Sequence, residues 1–567
     1  MRSHDVLVVG GGLAGLMAAL QLDGKDVAVA TKVYPTQSHS GAAQGGFNAA
    51  RAQTDSVASH ILDTIKGSDY LADQDAVEVM CSEAPDVIDE LDRLGALWSR
   101  TESGTIAQRP LGGSSHPRAC HSADLSGHVV LHALHEQTRR MQIPFYVEWQ
   151  LLDLLIEKGA VAGAILWNLP EGRLEVIRAR AVILATGGYG RVYAKSTNGL
   201  GSVGDGVALA YRAGAIVSDL EFVQFHPTTL RGTNILISEG ARGEGGYLRN
   251  AAGDRFMSRY ASSSMELAPR DVVSRAIATE IREGRGIGDG YVHLDLTHLG
   301  EALVEERLPQ VRELARIYAG VDAVREPIPI EPAQHYSMGG IRTDTFGATT
   351  IPGLFAVGEC ANVSVHGANR LGGNSLLETV VFGRRAGRRV AEWLSGRGPA
   401  PALPADGAVS ERSRRAFEDD WSARFDAAAP MAESAATLTH LRQRLTALMT
   451  RKVGVFRLGP ELEEAVEELR GLDAEYRSLR TARPQGPFDY RLMAFWELGL
   501  LVDVATLVAR GALRRTESRG AHDRPDFPQR DDERWLRHTF AVRNDRGPWF
   551  EDGEVRLGRI APQARTY

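Results

Sequence analysis

A strand, glycine turn and helix opening at Asp5, two later apolar strands that each run into glycine, and leucines at helical spacing near the C-terminus predict an α/β chain. The expected architecture is a Rossmann-like dinucleotide-binding domain interrupted by an α+β capping domain, then a helical bundle and a small C-terminal domain. Residues 1–221 and 335–400 are read as the first, 222–334 as the cap, 401–510 as the bundle and 511–567 as the tail. With 567 residues, 43% of them hydrophobic and 24% charged, the chain can bury several cores.

Taken in order, Asp5–Val9 reads as a buried strand, Leu13–Leu22 as a helix and Val27–Thr31 as the second strand. Gly10-Gly11-Gly12-Leu13-Ala14-Gly15 joins the first two. Gly10 permits the tight turn, Gly12 lets backbone approach a pyrophosphate, Gly15 lets helix pack on strand, and the helix N-terminus attracts the anion. The acidic residue that commonly ends the second strand is missing, because Thr31-Lys32 stand there. Twenty-four residues after Gly15, His39 lies in Ser38-His39-Ser40-Gly41-Ala42-Ala43-Gln44-Gly45-Gly46. That stretch should pass the redox-active end of the dinucleotide, which puts an imidazole within reach of the cofactor.

Two later segments look like returns of the same sheet: Ala181-Val182-Ile183-Leu184-Ala185-Thr186-Gly187-Gly188 and Leu354-Phe355-Ala356-Val357-Gly358-Glu359. Each reads as a buried strand ending in a glycine turn, and Glu359 is placed to meet ribityl or ribose hydroxyls. Three such turns favour one FAD domain carrying an insertion. No second GxGxxG and no closely spaced cysteine pair occurs, which argues against a pyridine-nucleotide disulfide reductase.

The insertion is dense in groups that bind anions: Gln224-Phe225-His226-Pro227-Thr228, then Ser238-Glu239-Gly240-Ala241-Arg242-Gly243-Glu244-Gly245-Gly246, then Arg270-Asp271. Past it come His335-Tyr336-Ser337-Met338-Gly339-Gly340 and Gly367 to Ser375, with Arg370 inside. Histidines, arginines and a hydroxyl, each near glycine, suit a dicarboxylate. Guanidinium offers a two-pronged fork to one carboxylate, and His or Ser can fix the other.

The last third changes character. Leu438, Leu441, Leu445 and Leu448 recur at helical spacing, as do Leu462, Val466, Leu469 and Tyr476. Beyond them, Thr516 to His522 and Asp526 to Asp532 open a polar tail, and Pro399 to Ala408 resembles a linker. Leu492 to Ala509 is apolar, but Glu497 and Asp503 interrupt it, so it is read as too broken to span a bilayer. The N-terminus shows no signal-peptide pattern. A net charge of -7 gives no electrostatic reason to expect nucleic acid, and Arg384-Arg385 with Arg388-Arg389 reads as a solvated helix face. Cys81, Cys120 and Cys360 are too scattered for a disulfide framework, a zinc site or an iron–sulfur cluster, so no metal site is expected and a reducing compartment is.

From the first strand to the tail, the chain resembles the flavoprotein subunit of succinate dehydrogenase and fumarate reductase. The motifs that carry the likeness are Thr36 to Gly46, Phe225-His226-Pro227-Thr228, Glu239 to Gly246, His335-Tyr336 with Met338-Gly339-Gly340, Gly367 to Leu377, and Ser518 to His522. The resemblance implies FAD joined covalently through its 8α methyl to His39. It places Gly10, Gly11, Gly12, Leu13, Ala14, Gly15, Thr31, Lys32, Ser38, Ser40, Gly45, Gly46, Asp205, Glu359, Ser375 and Leu376 around that cofactor. His226 and Ser238 would bind one substrate carboxylate and His335 and Arg370 the other. Arg270 would transfer the proton, with Glu239 and Arg242 as its relay. Ser238 stands where the family usually has threonine, and Ala241 where some members have cysteine.

By the same resemblance, electrons would leave through an iron–sulfur subunit to membrane anchor subunits that bind quinone. The flavoprotein would then sit peripherally on the cytoplasmic face of a bacterial inner membrane, with the tail and helical region as docking surfaces. Among the alternatives, L-aspartate oxidase shares Arg242-Gly243-Glu244-Gly245-Gly246 and the His-Tyr pair but is less similar at Ser38-His39 and at Arg370-Leu371-Gly372-Gly373. A single-chain fumarate reductase would need an electron-carrying domain, and no haem motif is present. A non-catalytic or RNA-binding flavoprotein would not need the dicarboxylate residues.

Overall fold

The computed structural model describes residues 2–397, 407–426, 431–484, 486–545 and 547–565. Most of the expected linker, and the expected boundary at residue 400, lie outside them. The central sheet runs in the order Phe145–Val147, Val27–Thr31, Arg2–Val9, Arg173–Leu184, Ala160–Asn168, Trp149–Glu157. Leu354–Ala356 pairs in parallel with Val182, Ile183 and Leu184, beside the stretch where residues 173–178 pair with the hairpin strand Ala160–Asn168. The four strands on which the first turn and its returns depend are parallel. Parallel strands are covered on both faces, which explains why Val6, Leu7 and Val8 are all fully buried rather than alternately so. Gly10, Gly187 and Gly358 therefore leave the same end of one sheet.

A second body rises from this one. Val223–Leu230, Ile328–Ser337, Val292–Asp295 and Tyr247–Arg249 form an antiparallel four-stranded sheet with its own core, in which Leu230, Ile237, Leu248, Val273, Ile277, Val292 and Ile330 are buried. The helix Arg270–Arg282 packs on it. The strand Ile328–Ser337 runs straight through the boundary expected at 334/335, so His335 is carried by the cap sheet and not by the chain beyond it.

Helices Met431–Lys452, Gly459–Ser478 and Tyr490–Arg514 pack together, burying Leu438, Leu441, Leu445, Leu448, Leu462, Leu469 and Tyr476, while Val466 is partly buried. Tyr490–Arg514 crosses the boundary expected at 510 and carries the whole of the apolar stretch in one helix. It is the one helix among the described residues long and apolar enough to cross a membrane, yet most of its apolar stretch is buried inside the protein. Its two acids do not break it because each meets a cation: Glu497 faces Lys32 and Arg442, and Asp503 faces Arg212.

The tail does not stand apart. Its hairpin, Arg537–Asn544 with Gly547–Glu554, completes a five-stranded sheet through Val217–Ser218, Gly340–Arg342 and Ala361–Asn362. Buried His538 locks it there, with Nδ1 2.7 Å from Asp219 and Nε2 3.1 Å from Asp73. The basic run at 384–389 is a solvated face only in part, at Arg388 and Arg389. Arg384 is buried and reaches Glu83 and Glu90, tying the helix Asn374–Glu392 to the helix Gln74–Arg93, where a solvated face was expected.

Candidate active site

A cavity of about 660 Å³ begins at the glycine turns and ends under the cap. Two helices point their N-termini into it. Leu13 opens the helix Leu13–Leu20, and Ser375 and Leu376 lie in the first turn of Asn374–Glu392. Unpaired backbone N–H groups at such ends favour anions. Gly10 adopts a φ of +119°, and a Cβ there would stand 2.1 Å from the Ala185 carbonyl oxygen, so no other residue fits this turn. Gly11, Gly12, Ala14, Thr31, Lys32, Ser38, His39, Ser40, Gly45, Gly46, Asp205 and Glu359 also line the cavity. Gly15 does not. It backs onto the turn, where a Cβ would meet the Gly10 oxygen at 2.1 Å.

The residues fit a dinucleotide with hydroxyl-bearing sugars. Ser38 Oγ, Gln44 Oε1 and Thr186 Oγ1 line the cavity, are buried, and have no hydrogen-bond partner within the protein, as expected of atoms reserved for a ligand. Lys32 compensates the missing acid differently: its Nζ donates to Asp205 at 2.8 Å and to Glu497 at 3.3 Å. Burial works against its charge, yet Asp205 and Glu497 outweigh this and hold its pKa above the usual lysine range. Glu359 accepts the Ser337 N–H at 2.9 Å, and burial pushes it up to about 7.

His39 sits between the two ends of the cavity. Its Nδ1 accepts the Gly199 N–H at 3.3 Å, and its Nε2 lies 3.2 Å from the Asn198 side-chain amide. Burial, aided by Arg191, pushes the imidazole down to about 4. At neutral pH the ring is therefore uncharged.

Under the cap, Arg270 and Arg370 meet at one atom. Gln224 Oε1 accepts from Arg270 Nη1 at 3.3 Å and from Arg370 Nη2 at 3.0 Å. Gln224 is fixed in turn, donating to Asn369 Oδ1 and to the Arg370 carbonyl, both at 2.8 Å. Arg370 also lies over the Tyr336 ring, 4.5 Å from its centre. Burial, with the like charge of Arg270, brings Arg370 down to about 9. His226 and His335 face each other with ring centres 5.0 Å apart. Burial first, then Arg270, hold both well below the usual histidine range, so both are neutral in the ligand-free site. Thr197 orients His335 through Nδ1 at 2.8 Å, Thr228 N–H donates to His226 Nδ1, and His226 Nε2 is left without a partner at the cavity. Ser238 lines the same end, its Oγ accepting the Gly240 N–H.

Glu239 carries the relay geometry. Its Oε2 accepts from Arg270 Nε and Nη2, both at 2.8 Å, and Oε1 accepts the Gly112 N–H at 2.7 Å. Burial opposes its charge, but Arg270 and Arg242 outweigh this and hold it below the ordinary carboxylate range. Arg242 does not line the cavity. It lies behind Glu239, its Nη2 3.8 Å from Oε1, with Nε and Nη2 making no hydrogen bond. Sequence reasoning quoted Gln224 without a role and missed Gly112, Thr197 and Asn198. Gly112-Gly113 was the available signal, a glycine pair in a loop with no strand to anchor it.

A dinucleotide cradle that opens onto two arginines, two neutral histidines and a buried carboxylate defines a flavin-dependent dicarboxylate oxidoreductase. The family profile "FAD binding domain" matches residues 5–376, and "Fumarate reductase flavoprotein C-term" matches 442–567. The succinate dehydrogenase flavoprotein subunit of Rickettsia bellii is 44% identical over 96% of this chain and 94% of that protein. The fumarate reductase flavoprotein subunit of Mycobacterium tuberculosis is 43% identical over 98% and 97%. A chain of E. coli quinol fumarate reductase superposes with a TM-score of 0.94 at 38% identity, covering 100% of this chain and 99% of its own. The chain belongs to the family of succinate dehydrogenase and fumarate reductase flavoprotein subunits, and it interconverts succinate and fumarate. The aspartate oxidase alternative is not favoured.

Proposed function

We propose that this flavoprotein binds succinate or fumarate between His226 with Ser238 at one carboxylate and His335 with Arg370 at the other. The observation that carries this reading is the shared Gln224 oxygen, which aims two guanidinium groups at the same end of one cavity. Bound FAD supplies the acceptor for the hydride that leaves succinate, or its donor in the reverse direction. The clamp on both carboxylates fixes one carbon–hydrogen bond toward Arg270, and such positioning can lower a barrier by several kcal/mol, of a possible range of about 7–11. In fumarate reduction Arg270 gives a proton to the carbon opposite the hydride. In succinate oxidation Arg270 must first be relieved of a proton, and Glu239, held ionised 2.8 Å away, is placed to take it, with Arg242 behind.

His39 carries the flavin covalently in this reading, at the 8α carbon. Its half-buried, neutral ring is in the state that such a bond requires. Electrons pass to an iron–sulfur partner subunit and from there to quinone in a membrane anchor, so the flavoprotein lies peripherally on the cytoplasmic face of the membrane. Support comes from the E. coli relative, a quinol fumarate reductase by name. Succinate-dependent dye reduction tests the assignment. Arg270→Ala should abolish it while FAD stays bound, and substantial residual turnover would remove Arg270 from its role.

A further inference from the structure

Arg565 lies two residues from the C-terminus, yet its side chain is only 9% exposed. Its Nη1 donates to Asp271 Oδ2 at 3.0 Å and to Asp69 Oδ2 at 3.3 Å, while Nη2 donates to Asp271 Oδ1 at 3.2 Å. Asp271 is fully buried and follows Arg270 in the first turn of the helix Arg270–Arg282. Asp69 belongs to the FAD-binding body, in the turn that ends the helix Val57–Gly67, where it adopts a φ of +53°. A single guanidinium therefore joins the cap, the FAD-binding body and the chain terminus.

The surroundings reinforce that link. Asp69 also receives Arg530 Nη1 at 2.8 Å and the Gly520 N–H at 2.9 Å, both from the tail. One turn along the cap helix, Arg275 donates to the Gly520 carbonyl at 2.7 Å and to Asp271 at 3.1 Å. Exposed ion pairs of long side chains do little for geometry, but a forked guanidinium on buried carboxylates fixes both position and angle. The residue so fixed is the neighbour of Arg270. Arg270 must hold Glu239 and Gln224 at once, so the first turn of its helix cannot shift without breaking one of them.

We propose that Arg565 is a positioning residue for the reaction: the C-terminal tail is a strap that sets the N-terminal turn of the cap helix, and with it Arg270, against the FAD-binding body. Loss of Arg565 leaves Arg275 on Asp271 and Arg530 on Asp69, so neither carboxylate is stranded and the fold survives. The inference rests on Arg270 lying at the reacting carbon.

The test uses the holoenzyme with Arg565→Gln, Arg565→Lys and deletion of residues 565–567. For Arg565→Gln and the deletion, kcat/KM for succinate should fall about tenfold, the order expected of a small misplacement. Kd for malonate, read from the flavin spectrum, should change little, because Arg270 transfers the proton and holds no substrate carboxylate. Amide exchange should quicken in the first turn of the cap helix, flavin content and Tm should hold, and Arg565→Lys should recover part of the loss. Adding Asp271→Asn to Arg565→Gln should cost less than Asp271→Asn costs in the parent protein, because only the Arg275 pair is then left to lose. Unchanged kinetics together with unchanged exchange would overturn the strap, and so would a loss that merely tracks falling Tm or flavin content. A parent protein unable to oxidise succinate would instead refute the site, whereas the exchange contrast reports the strap alone.

Discussion

Arg270 and Arg370, a hundred residues apart, are held together by the single side-chain oxygen of Gln224. Two guanidinium groups sharing one acceptor repel each other, and the arrangement persists because the neutral amide satisfies both while leaving their positive charge for a substrate. Gln224→Leu removes the bridge without adding charge. It should lower kcat/KM for succinate about a hundredfold, with FAD retained. Gln224→Glu should restore the bridge but cancel one positive charge, so its defect should appear chiefly as a raised KM. Steady-state kinetics on both variants checks this; equal defects would deny the bridge any electrostatic role.

Binding of a dicarboxylate should take up protons. In the ligand-free site His226 and His335 are neutral, held well below the usual range by burial and Arg270, and Arg370 stands at about 9. A dianion favours the charged form of all three. A group whose pKa is raised by binding adds affinity at low pH and loses it as pH rises through its value in the complex. Malonate Kd should therefore climb from pH 6 upward, by at most about tenfold per pH unit for each proton taken up, and climb again above about 9 as Arg370 loses its charge in the free site. Calorimetry in two buffers of different ionisation enthalpy counts the protons. A flat Kd with no uptake would contradict these assignments.

How much of this was legible in the sequence depended on whether the signal was local. The turn at Gly10 and the neighbourhood of His39 follow from short spacing, because one strand and one helix dictate them. Gln224 could be seen beside His226 but not across from Arg370, 146 positions away, since that contact exists only once two sheets have formed. Tyr490–Arg514 shows the same dependence: Glu497 and Asp503 look like interruptions until Lys32 and Arg212 arrive from the FAD-binding body. The partners of Arg384 are equally non-local, because Glu83 and Glu90 lie on another helix.

Gly112 offers a test of the relay that removes no charged group. A Cβ at this position would stand 2.4 Å from Glu239 Oε1, with the Leu267 and Ala268 carbonyl oxygens at 3.2 and 3.4 Å closing the other directions. Gly112→Ala must push the Glu239 carboxylate away from its N–H donor and rotate it against Arg270. We expect kcat for succinate oxidation to fall roughly ten- to a hundredfold, as for a misplacement near 1 Å. Because proton removal is the step disturbed, the solvent deuterium isotope effect on kcat should grow. Malonate affinity should change little, since Glu239 holds no substrate carboxylate. A loss confined to KM would place Glu239 in binding rather than in proton transfer.

The proposed bond to His39 bears on the direction in which the site is useful. Oxidising an unactivated carbon–carbon single bond demands a strong two-electron acceptor, and a bond from His39 to the 8α carbon withdraws electron density and raises the flavin's potential. His39→Ser should leave the cradle intact, because the two helix N-termini and the glycine turn do not involve the imidazole. FAD should therefore remain bound but become extractable by acid, and its midpoint potential should fall. Succinate oxidation should drop by a hundredfold or more, on the order of 3 kcal/mol in the barrier, while fumarate reduction by a strong donor persists. Absorbance of the acid supernatant and a redox titration make the comparison. Acid-extractable flavin in the parent protein, or a variant that oxidises succinate as fast as the parent, would remove the covalent bond from the explanation and leave His39 as a hydrogen-bonding neighbour of Asn198 and Gly199.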